Sequence, residues 1–379
     1  MNIAIFDLQH FEMVHVWHHV FNSPENKISF FTNKSLITKI SHSSLATSGY
    51  KSVIEEDSDS IDLFFQKCFE HVSVNKIEVI VFNTIDVHYK STWKFIKQLN
   101  IPVFVTLHNI NTWLKPPFTL NRTALGFYYY RHKMISKTSG LIVQEELFID
   151  YVKTKTNYKN PVFALPHTLK EAEIQHPVNN KLVIAIPGAI DGHRRDNDFS
   201  LSVIEKICSK NKNIQFVFIG GIVGHLGKKI YAQMQELIKK GCDILHYYDP
   251  SSNKIFDEQM SRCDIVFLPL LVETKYEGIT EIYGTTKVTG VLYDLMRFEK
   301  PCVSPEALVI PPTMKSSVVT YKDEDTFVNL ILDLEANRDK VRLLLNNAKT
   351  NSEYYTVPEI KKRFLGNFTS LLSDLSLRK

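Results

Sequence analysis

Residues 264–304, which read DIVFLPLLVETKYEGITEIYGTTKVTGVLYDLMRFEKPCVS, carry the clearest pattern of secondary-structure elements in the chain. This stretch opens with Asp264–Pro269, an apolar run of strand length that ends in a proline. A polar loop with acidic residues and glycines follows, then a stretch of helical length, and Pro301 opens a second short apolar run. A strand, a helix and another strand in this order predict a parallel sheet with crossover helices.

Short apolar runs rich in β-branched residues alternate with helix-like stretches along the whole chain. In the first half, the predicted strands are Asn2–Phe6, Lys27–Phe31, Val79–Phe82, Val103–Leu107, Gly140–Val143 and Pro161–Leu165. In the second half, they are Leu182–Ile186, Gln215–Ile219, Asp243–His246, Ile265–Leu268, Pro301–Ser304 and Val318–Thr320. The alternation predicts an α/β protein built on parallel sheets.

The polar segment Lys170–Lys181 contains Pro177 and has no hydrophobic periodicity, so it predicts an interdomain linker. We therefore expect two Rossmann-like domains, residues 1–170 and 182–350, joined by a linker over residues 171–181. Residues 351–379 are expected to form a helix that packs across both domains. A chain of 379 residues is long enough for two domains with a cleft between them.

The composition excludes several classes of function. The net charge of +4 is too small to indicate a nucleic-acid-binding protein. The five cysteines are scattered and never spaced as CxxC, which predicts reduced thiols, not a disulfide framework or a zinc site. The N-terminus lacks the basic region of a signal peptide, and no run approaches the about 18 apolar residues of a membrane span. We therefore expect a cytoplasmic protein.

The glycines argue against a dinucleotide or P-loop site. Dinucleotide-binding proteins need a glycine-rich turn after the first strand, but Asp7–His10 contains no glycine. The dense cluster Gly220–Gly227 follows a strand of the second half, and it fits neither the dinucleotide fingerprint nor the P-loop. Gly220 and Gly221 instead allow a ligand to approach the backbone at the carboxyl end of a strand.

The stretch 264–304 resembles the retaining GT-B glycosyltransferases (glycosyltransferase group 1, family 4-like). That family has a D-x-hydrophobic-x-x-P strand, an acidic and glycine-containing loop, and a helix that ends in a G-x-P-V turn. Asp264–Pro269 resembles the first element, and Glu299–Val303 resembles the last. Weaker similarities occur at Ile186–Gly188, Ile219–Gly221 and Gly140–Val152.

The resemblance implies the GT-B fold, in which two Rossmann-like domains face each other across a cleft. It also implies a nucleoside diphosphate sugar as the donor, held mainly by the second domain, and a glycan or lipid-linked acceptor. Surface polysaccharide or glycoconjugate biosynthesis is the implied setting. Transfer would need neither a metal nor another cofactor, and the anomeric configuration would be retained.

The family binds its donor with two acidic residues in the pattern E-x7-E, and this pattern is disturbed here. Counted back from Pro301, Asp294 matches the second acid, which the resemblance implies binds the ribose. The spacing then puts Thr286 at the first acidic position, whereas the E-x-aromatic-G word puts Glu281 there. Both assignments stay open. Glu273 and Glu281 also have the right spacing, but they precede the expected helix, and we regard that fit as coincidence.

Lys287 is the leading candidate for contact with the donor diphosphate. Gly284, Thr285 and Thr286 are small residues at an expected helix start, where backbone N–H groups and the helix dipole favour an anion. A lysine at the same place would compensate the second charge of a diphosphate. The alternative is that one threonine caps the helix while Lys287 is solvated.

Arg194 and Arg195 follow the first strand of the second domain. The resemblance implies that one of them contacts the donor phosphates, and which one is left open. A guanidinium fork suits phosphate oxygens and would stabilise the departing nucleoside diphosphate. The alternative is a surface network with acidic neighbours such as Asp191. Arg195, Lys287 and, on the acceptor side, His108 are the catalytic candidates.

Several histidines follow predicted strands. His10 and His108 come after strands of the first domain and should face the cleft as acceptor-side residues. His246 ends a strand of the second domain, where it would help to shape the nucleotide pocket. His15 and His19 have helical i, i+4 spacing, but neither HExxH nor a flanking carboxylate accompanies them, so no metal site is expected.

A basic and aromatic segment, Tyr128–Lys133, is followed by Lys137, Lys153, Lys155 and Lys159. This segment could contact anionic lipid, which would suit a lipid-linked acceptor and a peripheral position at the inner face of the membrane. A solvated helix face is the alternative interpretation.

Two rival functions remain. A sugar-nucleotide epimerase with the GT-B fold would act without an acceptor. A GT-B protein without catalytic activity would serve as a binding or scaffold partner, and the disturbed acidic pattern is the reason to consider it.

Overall fold

The computed structural model describes residues 1–21, 23–41, 51–56, 59–115, 117, 119–170, 173–192, 194–249 and 253–377 of the chain. Two parallel sheets dominate these residues, with one sheet in each half of the sequence. The two sheets confirm the predicted architecture of two Rossmann-like domains.

The first domain is built on a sheet of seven described strands that all run parallel. The strands are β1 (Asn2–Phe6), β2 (Lys27–Asn33), β3 (Lys51–Glu55), β4 (Val79–Phe82), β5 (Val103–Thr106), β6 (Gly140–Val143) and β7 (Val162–Ala164). The helices are α1 (Phe11–Phe21), α2 (Lys34–Ser41), α3 (Ile61–Val74), α4 (Tyr89–Gln98), α5 (Ile110–Leu114), α6 (Arg122–Lys137) and α7 (Glu146–Lys155). The spatial order is β3-β2-β1-β4-β5-β6-β7, so the loops that follow the strands lie at one edge of the sheet.

The second domain has a sheet of six described parallel strands in the order β10-β9-β8-β11-β14-β15. Its strands are β8 (Leu182–Pro187), β9 (Ile214–Ile219), β10 (Ile244–His246), β11 (Ile265–Phe267), β14 (Cys302–Pro305) and β15 (Val318–Tyr321). Its helices are α8 (Asn197–Lys210), α9 (Gly224–Lys239), α10 (Asn253–Arg262), α11 (Gly290–Arg297), α12 (Glu324–Ala336) and α13 (Arg338–Ser352). A pair of antiparallel strands, β12 (Glu273–Tyr276) and β13 (Ile279–Ile282), stands apart from both sheets.

The central strands form because they are short, continuous apolar runs that helices cover on both faces. Every residue of β4, β5 and β6 is buried, and so is every residue of β11. The edge strand β3 was not predicted, since its residues are polar or only partly buried and it lacks that apolar signal. This strand forms through its parallel pairing with β2, which its own sequence does not indicate.

The pair of β12 and β13 forms an arm, residues 273–282, which the sequence predicted as a loop. The arm turns at Glu277 and Gly278, whose φ angles are +50° and +78°. Positive φ at both central residues is the type I′ geometry that matches the twist of a two-residue hairpin. Each strand of the arm has only four residues, several of them charged, which explains why the hydrophobic pattern did not reveal it.

The C-terminal segment returns the chain from the second domain to the first. Tyr355 lies in a short 3-10 turn, Glu353–Tyr355, and packs into the core of the second domain. The last helix, α14 (Val357–Leu377), then packs on the first domain. The ring of Phe364 contacts Trp17 at 5.6 Å between centroids, and the ring of Phe368 contacts Phe104 at 4.8 Å.

Candidate active site

The loops at the carboxyl edges of the two sheets meet in a cleft between the domains. Asn109 follows β5 in the first domain, and its side chain contacts Lys287 of the second domain. His167 follows β7, and its ring lies 5.6 Å from the ring of Tyr293 on α11. Ligands of α/β proteins bind at such strand ends, so this cleft is the candidate site.

Lys287 extends from the second domain toward the first. Its Nζ donates a hydrogen bond of 2.8 Å to Oδ1 of Asn109, and the ammonium lies 5.4 Å from the ring centroid of Tyr276. Burial lowers the pKa of Lys287, while the nearby carboxylates of Glu281 and Asp86 raise it. The structure therefore holds a partly buried cation at the junction of the two domains.

The segment around Gly284 is a turn and does not begin a helix, so that expectation is wrong. Helix α11 begins at Gly290, and the backbone N–H groups of Thr285 and Thr286 donate to the carbonyl of Ile282 at 3.0 and 2.8 Å. Gly284 has a φ of +79°, and a Cβ atom there would lie 2.2 Å from the carbonyl oxygen of Val309. Because these N–H groups are already used, an anion here would rely on side chains.

The two candidates for the first acidic position are both wholly buried. Oε1 of Glu281 accepts hydrogen bonds from the backbone N and Oγ1 of Thr112, at 2.7 and 2.8 Å. Oγ1 of Thr286 accepts a hydrogen bond of 2.8 Å from the backbone N of Ile282. Both side chains thus hold the arm and its base in place, and the assignment of the first acid stays a prediction.

The two arginines lie in different environments. Arg194 is exposed and forms an ion pair of 2.9 Å with Asp191, and its charge is close enough to Lys287 to lower the pKa of that lysine. The guanidinium of Arg195 packs on Gly188, where a Cβ atom would lie 1.9 Å from Nη2. No described residue accepts a hydrogen bond from Nε of Arg195, and its Nη1 donates to the carbonyl of Ala189 at 3.3 Å.

Asp294 lies on α11 and faces the first domain. Burial raises the pKa of its carboxyl to about 7, and the negative charge of Glu12 on α1 acts in the same direction. Arg297 and Arg195 oppose this shift. The structure therefore brings Asp294 close to one of the predicted phosphate-binding arginines, with a carboxyl group that titrates near neutral pH.

The glycine cluster mainly lets two loops of the second domain approach each other. A Cβ atom on Gly220 would lie 2.3 Å from the carbonyl oxygen of Gly188. The carbonyl of Gly221 accepts a hydrogen bond of 3.0 Å from the backbone N of Ile190. His246, at the end of the neighbouring strand, contacts Gln235 at 2.9 Å, and burial lowers the pKa of its ring.

The rings of three histidines of the first domain contact one another in a row that ends next to Tyr293 on α11. The ring centroids of His10 and His108 are 4.7 Å apart, and those of His108 and His167 are 4.9 Å apart. Nε2 of His108 lies 2.8 Å from the carbonyl oxygen of Asn83, so this nitrogen carries the proton. Burial lowers the pKa of His108 to about 3 and also lowers the pKa of His167. Both rings are therefore neutral at pH 7.

Sequence reasoning missed a carboxylate at the first domain's edge of the cleft. Asp86 follows β4, and burial raises the pKa of its carboxyl. The charges of His10 and Lys287 are close enough to lower that pKa, which places Asp86 between the two predicted sides of the site. A polar residue just beyond a buried strand was the available signal, and it occurs at Asp86 after β4 and at Asn109 after β5.

The part of the chain that the structure describes contains no group of three or more His, Cys, Asp or Glu residues arranged to hold a metal ion. None of the described helices combines the length and the apolar character of a membrane-spanning helix.

No protein-family model matches the sequence, and no curated protein matches it. Solved structures do match along almost the whole chain. HepE from Anabaena, solved with UDP and glucose, has a TM-score of 0.67 at 12% identity, over 98% of this chain and 100% of that one. Sucrose-phosphate synthase from Thermosynechococcus elongatus has a TM-score of 0.63 at 11% identity, over 100% of both chains.

A further match is a putative UDP-N-acetylglucosamine 2-epimerase from Listeria monocytogenes. Its TM-score is 0.62 at 10% identity, over 98% of this chain and 97% of that one. At identities this low, the similarity shows the fold alone. The chain therefore has the GT-B fold that these structures share.

Proposed function

We propose that this protein is a glycosyltransferase that moves a sugar from a nucleoside diphosphate sugar to a glycan or lipid-linked acceptor. The observation that carries the proposal is the contact of Lys287 with Asn109, at 2.8 Å, in the cleft of a GT-B fold. It puts a partly buried cation between the two domains, close to Arg194. Two cations in a cleft of this kind suit the negative charge of a diphosphate.

On the donor side, each candidate has a distinct role. Asp294 accepts hydrogen bonds from the ribose hydroxyls, while Lys287 and Arg194 stabilise the departing diphosphate. Arg195 fixes the loop that follows β8, because its guanidinium packs on Gly188. Glu281 acts indirectly, since its carboxylate binds the backbone of α5.

On the acceptor side, His10, His108 and Asp86 line the first domain's edge of the cleft. A neutral ring at His108, with its proton on Nε2 donated to Asn83, can accept a hydrogen bond from a sugar hydroxyl at Nδ1 without attracting the donor's phosphates away from Lys287. The arm covers part of the cleft and limits access of water, which would otherwise hydrolyse the donor. Retention of configuration, independence of metal and other cofactors, and a role in polysaccharide or glycoconjugate synthesis remain parts of the proposal that rest on the sequence resemblance.

The proposal includes a cytoplasmic protein that contacts the membrane surface through α6. Leu125, Tyr129 and Lys133 follow one another at i, i+4 spacing on one face of this helix, Leu125 and Tyr129 are exposed, and Leu120 before the helix is 82% exposed. Apolar and basic side chains on one surface suit the interface of an anionic membrane. A lipid-linked acceptor would be delivered at the same surface.

Donor binding tests the proposal most directly. We expect calorimetry with UDP, GDP and ADP, each with its sugar conjugates, to show one base bound with measurable affinity. A donor that binds should then lose its sugar to a glycan acceptor in the presence of the protein. Absence of binding by every nucleotide would contradict the proposal and favour the scaffold alternative.

The epimerase alternative has its own supporting observation, the similarity to the putative 2-epimerase. An epimerase converts the sugar of its donor without an acceptor. Incubation of the bound nucleotide sugar with the protein alone, followed by NMR of the sugar, separates the two activities. Appearance of an epimer in that sample would favour the alternative.

A further inference from the structure

A cavity of about 310 Å³ lies outside the cleft, between α5, α6 and the segment that follows α7. Tyr128, His132 and Ser136 of α6 line one side, and Lys159 and Asn160 line another. None of the donor-side or acceptor-side candidates lines it. Its volume is enough for a group of monosaccharide size.

Arg131 forms a wall of this cavity, and its side chain is 1% exposed. Its Nη2 donates to both carboxylate oxygens of Glu277, at 2.7 Å each, and to the hydroxyl of Tyr89. The guanidinium also lies 5.5 Å from the ring centroid of Trp113. Nε and Nη1 have no acceptor among the described residues. A buried guanidinium therefore keeps three N–H groups, one on Nε and two on Nη1, without a partner, which is rare in folded proteins.

The lining of the cavity carries no carboxylate among the described residues. Its basic side chains are Arg131, Lys159 and His132, and the other polar groups are hydroxyls and amides. Tyr128 and Trp113 add aromatic surface. An anionic oxygen group suits the guanidinium and the lysine, and ring hydroxyls suit the amides and the tyrosine.

We propose that this cavity binds a saccharide that carries a phosphate or carboxylate group, with the anion held by Arg131 and Lys159. Arg131 also holds Glu277 at the tip of the arm, so the occupant and the arm share one guanidinium. The saccharide and the docked arm therefore compete for the positive charge of Arg131. This site does not depend on the proposed transfer reaction, because none of the residues that line the cavity is a donor-side or acceptor-side candidate.

Calorimetry on the full chain tests the site with glucose 6-phosphate, glucuronate, inorganic phosphate and glucose as probes. We expect at least one of the two anionic sugars to bind, more tightly than inorganic phosphate, and glucose to give no binding. Which anionic sugar binds distinguishes phosphate from carboxylate recognition. No binding of either at millimolar concentration, or equal binding of inorganic phosphate, would overturn the proposal.

Substitutions locate the binding site. Lys159→Gln should weaken the bound anionic sugar about tenfold through loss of one charged hydrogen bond. Lys155→Gln is the matched control, since Lys155 is exposed on α7 and does not line the cavity. Arg194→Gln reports on the cleft, and it should leave the affinity unchanged. A loss of binding in Arg194→Gln with none in Lys159→Gln would place the anion in the cleft and contradict the proposal.

Glu277→Gln tests the shared guanidinium. It removes the negative charge that competes for Arg131, so the anionic sugar should bind several-fold more tightly than to the wild-type protein. The variant keeps every residue that lines the cavity. Affinity that is unchanged or weaker in this variant would show that the arm and the occupant do not share Arg131.

Discussion

Glu281 of the arm and Thr112 of α5 join the two domains through a buried carboxylate. Oε1 of Glu281 accepts from both the backbone N and the hydroxyl of Thr112, at 2.7 and 2.8 Å, and the carboxylate is wholly buried. Next to it, the backbone N of Ile110 donates to the carbonyl of Thr286 at 3.0 Å. The residue that resembles a donor ligand by sequence thus acts as the anchor of the arm.

Glu281→Gln should reduce the free energy of unfolding by about 1.5–3 kcal/mol, because it replaces a charged acceptor by a neutral one. Chemical denaturation followed by circular dichroism measures this change. Glu273→Gln, at the exposed base of the arm, is the control and should stay within about 0.5 kcal/mol of the wild-type protein. Equal stability of the Glu281 variant and the wild-type protein would mean that the carboxylate contributes nothing as an anchor.

Lys287→Ala should weaken binding of the preferred nucleoside diphosphate by about 1.5–3 kcal/mol, which corresponds to an increase of roughly 10-fold to 150-fold in Kd. The variant loses a partly buried cation, and water would replace its charged hydrogen bond to the diphosphate only in part. Lys275→Ala, on β12 of the same arm, removes an exposed cation and serves as the control. An unchanged Kd in Lys287→Ala would remove Lys287 from the donor site.

Asp294→Asn should change how stability depends on pH. Burial raises the pKa of Asp294 from 3.8 to about 7, so between these values the folded protein keeps a proton that the unfolded chain loses. The wild-type protein therefore loses stability as the pH rises through this window, and the asparagine variant does not. The variant should gain about 2–4 kcal/mol relative to the wild-type protein between pH 4 and pH 7.

Denaturant unfolding at a series of pH values measures this difference, and the histidines cancel because both proteins contain them. Asp198→Asn, at an exposed position on α8, is the control for the removal of a carboxylate. A parallel pair of stability curves for Asp294→Asn and the wild-type protein would contradict a raised pKa at Asp294.

His108 should remain neutral between pH 5 and pH 8. Burial lowers the pKa of its ring to about 3, and the bond to the carbonyl of Asn83 fixes the proton on Nε2. A solvated histidine changes its charge near pH 6.5, so nitrogen-edited NMR of the imidazole groups separates the two cases. His108→Gln identifies the resonance, and a midpoint above pH 5 for that resonance would contradict the predicted environment.

The sequence predicted most of the sheets and little of the cleft, for a physical reason. The strands of both sheet centres are buried on two faces, so each is a continuous apolar run that can be read locally. The arm has no such signal, because its strands gain their stability from contacts with α4, α5 and α6 that are distant in sequence. Asp294 was predicted from its spacing to Pro301 and Lys287 from its place among small residues, whereas the partners of Glu281 depend on how the domains meet.

Glu299 departs from the family pattern, and its strained backbone is offset by a buried ion pair. It stands where the G-x-P-V turn has glycine, and its φ is +53°, a conformation that costs a non-glycine residue roughly 1–2 kcal/mol. In return, its wholly buried carboxylate pairs with Lys170 at the end of the first domain, at 2.8 Å, and with His176 of the linker at 3.3 Å. Breaking a buried pair by removing one partner costs about 3–5 kcal/mol, and Lys170 keeps a second partner in Glu353.

Glu299→Gly should therefore destabilise the protein, because the lost ion pair outweighs the relief of backbone strain. We expect a net loss of about 1–3 kcal/mol in the free energy of unfolding. Glu299→Gln keeps the strained backbone and a neutral acceptor at the same place, so its loss of stability reports the contribution of the charge alone. Denaturant unfolding of both variants measures the two contributions separately. If Glu299→Gly proves more stable than the wild-type protein, the backbone strain outweighs the ion pair and the carboxylate has no stabilising role between the domains.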